Sequence, residues 1–411
     1  MAKIIPFRGF LPPIELAKEV SSEPYDVLSS NEAREIVLEN RKSFLRIIKA
    51  EVDFPISKIP KSQSIHNKAA ENLNKFIRKG FLIEDDKECF YIYKISKNGH
   101  SQTGLTAAVS IKEYDNQKIK KHELTRQEKE DDRTLHINTT KANTGPVFLV
   151  FKNNGNFQNQ FSKFSQMPSD IYFEASDGSI HSLIKIQDKA NIDSIKKYFQ
   201  SVDNLYIADG HHRAASASRV HKNHIKANQN YDCNTAYNYF LATIFPHDEV
   251  QILGYNRLVK DLNGLNKERF FIKIKNDFIL KKSSKKIIPN RKGVFSMYFD
   301  KEWFILKARK NIITDDPVLG LDASILQNYI LKPILGIHNP RINSRIDFVG
   351  ASRGLGELEK RCLLDAKVAF ALYPVTINDL MRVADKDKVM PPKSTWFEPK
   401  LRSGLVVRKF D

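Results

Sequence analysis

Cysteine is scarce: Cys89, Cys233 and Cys362 are the only three in 411 residues, and they stand far apart with no Cys-x-x-Cys pair. That spacing gives no basis for a disulfide framework or a thiolate zinc site and fits a reducing cytosol. Long apolar runs are missing as well. No stretch approaches the ~18 uncharged residues of a membrane span, and the first nine residues lack the apolar core of a signal peptide. A soluble, cytoplasmic protein is expected. There is no Walker A loop, no complete Gly-x-Gly-x-x-Gly, no Gly-x-Ser-x-Gly elbow and no cysteine near a histidine. Conventional nucleotide folds and hydrolytic triads therefore gain no support. Acidic side chains are in deficit, 48 against 66 Lys and Arg, for a net charge of +18. That excess favours anionic partners: phosphorylated metabolites, nucleic acid or acidic lipid. The rest is an ordinary globular balance, 41% hydrophobic and 28% charged, long enough for two or three lobes.

Periodicity gives an α/β (mixed α+β) protein. Ser29-Ser30-Asn31-Glu32 reads as a cap entering a helix through Ala33, Ile36, Val37 and Leu38, with Asp26 just before it. Ile65, Ala69, Leu73, Phe76 and Ile77 recur at helical spacing until Gly80. Strands are expected at 89–95, 105–111 and 146–151, with a charge-dense insert at 112–141 as a candidate active-site loop. A helix at 193–202 feeds the strand before Asp209, and a further helix is expected at 322–334. The Phe/Ile/Lys stretch at 267–292 reads as a strand with a solvated lysine face followed by a basic loop, and carries no site. Three lobes are expected, at 1–110, 111–265 and 266–411.

The densest chemistry is Asp209-Gly210-His211-His212-Arg213, where the apolar run Leu205-Tyr206-Ile207-Ala208 gives way to a small-residue helix. A helix start leaves backbone N–H groups unpaired, its dipole favours negative charge, and a glycine there lets a ligand approach the backbone. Phosphate is the natural guest. The plainer alternative has His211 and His212 capping the helix, Arg213 paired with a surface acid and Asp209 as N-cap. Adjacent histidines point to different sides of a helix, which disfavours a shared zinc ion and leaves magnesium held by carboxylate and phosphate.

Weaker groups lie elsewhere. In the insert, Arg126, Lys129 and Arg133 would share a helical face able to clamp phosphate, or equally to form surface ion pairs. Arg341 and Arg345 lie in a turn-rich region suited to reaching phosphate oxygens. Lys393-Ser394-Thr395 follows two prolines, as a phosphate-facing loop or a rigid turn.

Pro24-Tyr25-Asp26-Val27, the segment from His122-Glu123 to Arg133, Gly145-Pro146-Val147, Ala208 to Arg213, Tyr255-Asn256-Arg257, Arg341 with Asp347-Phe348-Val349-Gly350, and Met390-Pro391-Pro392-Lys393-Ser394-Thr395 together span nearly the whole chain. In this order they resemble a family long described as of unknown function that includes free L-serine kinases, among them pyrophosphate-dependent ones, distantly similar to the ParB/sulfiredoxin group. The resemblance implies a ParB/sulfiredoxin-like catalytic core with additional α/β lobes. It implies phosphoryl transfer from pyrophosphate, or from ATP or ADP, to the hydroxyl of free L-serine with Mg2+, giving O-phospho-L-serine on a route to cysteine. Donor phosphates would sit at Gly210, His211, His212 and Arg213, with Arg341, Lys393, Ser394 and Thr395 as further contacts. Asp209, Asp26 and His211 would be the catalytic groups, with Asp209 also the metal contact. Glu123, Arg126 and Arg133 would meet serine. Two other readings stand beside this one: a ParB-like nucleotide-switched or nucleic-acid-binding protein, motivated by the +18 charge, and a kinase for another small alcohol. The sequence leaves oligomeric state open.

Overall fold

The structure is a computed structural model that describes residues 2–227 and 235–410. Cys233 lies outside the described residues; Cys89 and Cys362 are both free thiols. The chain divides into two compact units, one formed by 1–250 with 399–411 and the other by 251–398. The mixed α/β class expected from periodicity holds in both.

In the first unit, nine strands among the described residues make one mixed sheet. They are β1 (Ile4–Ile5), β2 (Phe90–Lys97), β3 (His100–Ser110), β4 (Ile119–Lys120), β5 (Val147–Phe151), β6 (Ile171–Glu174), β7 (Ile180–Ile186), β8 (Leu205–Asp209) and β9 (Tyr239–Pro246). The order is β4-β8-β5-β9-β3-β2-β7-β6, with β1 paired to β3. Contacts β8–β4 and β9–β5 are parallel, and the others are antiparallel. β5 is an unbroken apolar run, Val-Phe-Leu-Val-Phe, because both of its faces are buried. β3 pairs with β9 from Leu105 to Ser110, so the sheet runs straight across the boundary expected at residue 110. Residues 1–110 and 111–250 therefore share one unit.

Five helices of this unit bear on the site: α1 (Ser30–Glu39), α2 (Ser62–Arg78), α3 (Gln127–Thr140), α4 (Lys189–Gln200) and α5 (His211–Ala227). α1 starts as its sequence dictates. The Ser29 hydroxyl accepts the Glu32 N–H at 3.2 Å and the Glu32 carboxylate takes the Ser29 N–H at 2.8 Å, a closed capping box of the kind whose loss costs about 1 kcal/mol. Leu38, read as part of the apolar face, is 80% exposed; Ala33 and Val37 carry the packing. α2 buries Ala69, Leu73 and Phe76 as its period requires. The expected face of Arg126, Lys129 and Arg133 on α3 does not form. Arg126 is the residue before the helix, Lys129 is exposed, and Arg133 turns toward Tyr25. What α3 buries is Thr134, His136, Ile137 and Thr140.

The second unit is a six-stranded antiparallel sheet of β10 (Tyr255–Val259), β11 (Phe278–Ser283), β12 (Val294–Phe299), β13 (Glu302–Ala308), β14 (Ile346–Gly350) and β15 (Val368–Ala371), in the order β11-β13-β12-β15-β10-β14. Two apolar clusters cover its faces, one around Val259, Phe270 and Ile274, the other around Leu258, Trp303 and Leu358. The stretch expected as strand from 267 is helical over Lys267–Asp277 and only then becomes β11. Phe270 and Ile274, four residues apart on the helix, are fully buried, so the core selects the helical period there over the β propensity of Phe and Ile, and buried Phe278 opens the strand. The expected helix at 322–334 is α-helical at Asp322–Leu326 and π-helical at Gln327–Leu331.

Asp322 is nearly inaccessible at 5% exposure, and its carboxylate accepts the Gly293 N–H at 2.8 Å. Burial pushes its carboxyl up from 3.8 to about 7, against the Gly293 N–H and the Lys292 charge that pull it down. Between pH 4 and 7 the folded chain keeps a proton that the unfolded chain releases, so this group's contribution makes stability fall as pH rises through that window. A tenfold difference in proton affinity is worth about 1.4 kcal/mol. Asp322→Asn should remove the dependence. Its melting temperature relative to wild type is expected to be higher at pH 8 than at pH 5 by on the order of 5 °C, and equal offsets at the two pH values would contradict the assignment.

Candidate functional site

The site starts at an irregularity in the sheet. Ile207 on β8 lies opposite Leu149, but Asp209 lies opposite Phe148, so one extra residue is accommodated between them. Bulges of this kind re-aim the side chain that follows. Gly210 comes next with φ +93°, a left-handed conformation that glycine adopts without the Cβ penalty. α5 begins at once, and Ala214 N–H bonds the Gly210 carbonyl. Helix geometry leaves the N–H groups of His211, His212 and Arg213 without intrahelical acceptors, at the positive end of the helix dipole. The strand–glycine–helix turn expected from sequence is therefore present, and it is the arrangement that binds anions.

The side chains on that turn divide sharply. One Asp209 oxygen receives the Lys400 ammonium at 2.6 Å and the other the Gly210 N–H at 2.8 Å. Burial alone would raise its carboxyl, but Lys400 and Arg213 outweigh burial and hold it well below the usual carboxylate range. A carboxylate so engaged is a poor proton acceptor. Both of its oxygens are already engaged, so a magnesium ion bound directly to Asp209 would compete with Lys400 and the Gly210 N–H. His211 is buried against His122, the rings edge to face with centroids 4.4 Å apart. Burial drives both imidazoles to the neutral form, His122 down to about 4 and His211 well below its ordinary value. His212 points elsewhere, and its Nε2 accepts the Arg126 backbone N–H at 3.0 Å. His211 is therefore no cationic clamp, and His212 is engaged through Nε2 with the insert.

Cationic contacts come instead from arginines around Tyr25. Arg213 donates to the Pro146 carbonyl at 2.9 Å and its guanidinium lies 5.4 Å from the Tyr25 ring centroid. Arg133 lies 4.4 Å from the same centroid and is braced by Asp132 at 2.6 and 2.9 Å. Asp132 in turn takes His66 Nε2 at 3.0 Å, tying the brace to α2. Burial, with the Asp26 charge, raises the Tyr25 phenol to about 12 against the pull of both arginines, so it remains a hydroxyl donor at neutral pH. Tyr25, Arg133, Thr144, Gly145, Arg213 and Ser403 line a small cleft. A side chain at Gly145 would put its Cβ 2.9 Å from Ser403 Oγ, so the Ser403 hydroxyl would have to turn away to admit one.

The C-terminal segment holds these pieces together. Ser22 and Ser403 exchange backbone hydrogen bonds at 3.0 and 2.9 Å, and buried Arg402 pairs with Glu23 at 2.9 Å and Asp177 at 2.8 Å. The loop bearing Tyr25 and Asp26 is thereby fixed beside the strand end bearing Asp209. Asp26 is exposed next to Tyr25, within electrostatic reach of the cleft.

The remaining expected residues fall outside this cluster. Arg126 is half exposed, with a loose 3.8 Å contact to Glu128. Glu123 lies beside His122 and His211, their ligand atoms all within 4.8 Å of one another. Arg341, Lys393, Ser394 and Thr395 belong to the second unit. There Ser394 donates to the Pro391 carbonyl at 2.7 Å, bracing a turn in which Lys393 has φ +55° and its ammonium sits 5.4 Å from the Tyr255 ring centroid. Arg257 is buried in the same unit with the Tyr255 and Pro392 carbonyls as partners. Arg345 is committed to Asp261. Lys400 on Asp209, His122 against His211 and the approach of two arginines to the Tyr25 ring have no local signal in the sequence.

No helix among the described residues is long and apolar enough to cross a membrane. A family profile described as "Protein of unknown function (DUF1015)" matches residues 4–324. No curated protein matches the chain. Among solved structures, a free serine kinase variant in complex with ADP is similar at 12% identity and a TM-score of 0.36, over 71% of this chain and 87% of that one. SbnI with C-terminal truncation from Staphylococcus aureus is similar at 10% identity and a TM-score of 0.39, over 72% and 85%. A conserved hypothetical protein from Pyrococcus furiosus is similar at 13% identity and a TM-score of 0.34, over 72% and 93%. The matched span takes in the Tyr25 loop, the charged insert and the whole turn at 205–213, and the chain belongs to the DUF1015 family.

Proposed function

We propose that the protein is a small-molecule kinase that transfers a phosphoryl group from pyrophosphate or a nucleotide to the hydroxyl of free L-serine, giving O-phospho-L-serine. The observation that carries this reading is the helix start at His211–Arg213, directly after the Gly210 turn, set beside the Arg133–Tyr25–Arg213 stack. Phosphoryl transfer asks chiefly for positioning and for positive charge around the equatorial oxygens. The N–H groups and Arg213 would cradle the donor, the Tyr25 hydroxyl would donate to a phosphate oxygen, and Lys400 would add charge from behind Asp209. The serine hydroxyl attacks the terminal phosphorus, its proton passes to Asp26, and inorganic phosphate or the shortened nucleotide leaves. Arg133 would meet the serine carboxylate. Asp209 orders Lys400 and the Gly210 turn, and no step is routed through a magnesium ion on it. The motif resemblance to the free-serine kinases supports the same acceptor.

The test is incubation of purified protein with L-serine, magnesium and, separately, pyrophosphate, ATP or ADP, with O-phosphoserine detected by mass spectrometry. Product with at least one donor is expected. Phosphorylation of a different small alcohol but not serine would move the acceptor assignment, and no product with any donor would overturn the kinase reading.

A further inference from the structure

His122, Glu123 and His211 form a group that phosphoryl transfer as described does not use. His122 and His211 are 2% and 6% exposed, yet neither nitrogen of His122 nor Nε2 of His211 has a hydrogen-bond partner. The Ile207 carbonyl lies by the His122 ring but outside hydrogen-bond geometry. Buried imidazole nitrogens are ordinarily satisfied, so several left open at one place ask for an acceptor of lone pairs. One ligand atom from each of His122, Glu123 and His211 falls within 4.8 Å of the others. The three come from two independent elements. His122 and Glu123 follow β4 on the charged insert, and His211 opens α5 directly after the bulge and Gly210. The fold thus converges these nitrogens, where simple core packing would have served equally well with apolar side chains.

We propose that His122, Glu123 and His211 bind one divalent transition-metal ion of the zinc type. Two imidazoles and one carboxylate are a donor set suited to zinc, iron or nickel, whereas magnesium and calcium take oxygen ligands. Three protein ligands leave a coordination position for water or a ligand oxygen. The ion sits at the start of α5, next to Asp209, so it adds positive charge to the turn that the kinase reading assigns to donor phosphates. The inference itself rests on the three side chains and not on that reading.

The experiment is metal retention by the full chain. Purified protein stripped with chelator is loaded with Co2+ or Zn2+, dialysed, and assayed for metal by mass spectrometry, with the Co2+ form also examined by visible absorption. About one ion per chain and d–d bands of a low-coordinate Co2+ site are expected. Glu123→Gln and His211→Gln, each checked for native circular dichroism, should weaken retention at least tenfold. His224→Gln, near the far end of α5 where the ring stacks on Tyr237, should leave it unchanged. Absence of retained metal in the wild type would overturn the proposal, as would retention unaffected by both site variants. Either outcome leaves O-phosphoserine formation to decide the kinase reading separately.

Discussion

Asp26→Asn is expected to lower kcat by about 10²-fold or more while leaving the melting temperature within a degree or two of wild type. The size follows from the role: removal of a general base typically costs 10² to 10⁴. The selectivity follows from the surroundings. Asp26 is exposed and lies before the capping box of α1, so its loss breaks no buried pair and no helix cap. Asp209 is the contrasting carboxylate. Lys400 holds it ionised and engaged, so Asp209→Asn should lower turnover by weakening the hold on Lys400 and loosening the Gly210 turn, and should also lower stability because an ammonium that is only 18% exposed loses this ion pair. Equal kinetic losses with equal stability losses in the two variants would contradict the division of roles. The measurement is steady-state kinetics paired with thermal unfolding.

Arg213→Ala should lower kcat/KM by about 10² to 10³, in the range found when one preorganised donor to a developing charge is removed. The guanidinium serves three contacts: the Pro146 carbonyl, the Tyr25 ring and electrostatic support of Asp209. Arg213→Lys should recover only part of the loss, because an ammonium lacks the planar fork that spans two phosphate oxygens and stacks on a ring. Full rescue by lysine would reduce Arg213 to a point charge. Arg126→Ala, at a half-exposed residue outside the cleft, should change kcat/KM less than threefold.

The central turn was legible because its signals are local. An apolar run makes a buried strand, a glycine permits φ +93°, and small residues make the helix that follows. Which side chains on it face the ligand was not legible. His211 and His212 read as phosphate contacts, yet His211 packs on His122 and His212 accepts the Arg126 N–H. Both partners lie in an insert whose path over the helix start is a tertiary matter. Lys400 stands 191 residues beyond the carboxylate it holds, and it comes from a segment with no local mark of function. Arg402 and Ser403 join that segment to the Tyr25 loop by contacts of the same long range.

Two misreadings were recoverable from the sequence. Phe270 and Ile274 stand four residues apart, a helical spacing, but the lysines around them read as the solvated face of a strand. Arg126, Lys129 and Arg133 were assigned one helix face, yet the helix begins after Arg126 and the face it buries is Thr134, His136, Ile137 and Thr140. Charge marks the solvated side of a helix, and burial follows the apolar residues. The division at residue 110 failed for a different reason. β3 and β9 are partners in one sheet although more than a hundred residues separate them, and composition changes along a chain do not reveal strand pairing.

The central claim is that the turn at 209–213 binds a polyanionic phosphoryl donor, and calorimetric titration of pyrophosphate into the wild type and into Arg213→Ala tests it most directly. Saturable binding by the wild type, weakened at least tenfold in the variant and weakened further as salt is raised, is the predicted result. No binding by the wild type, or the same affinity in both proteins, would contradict it.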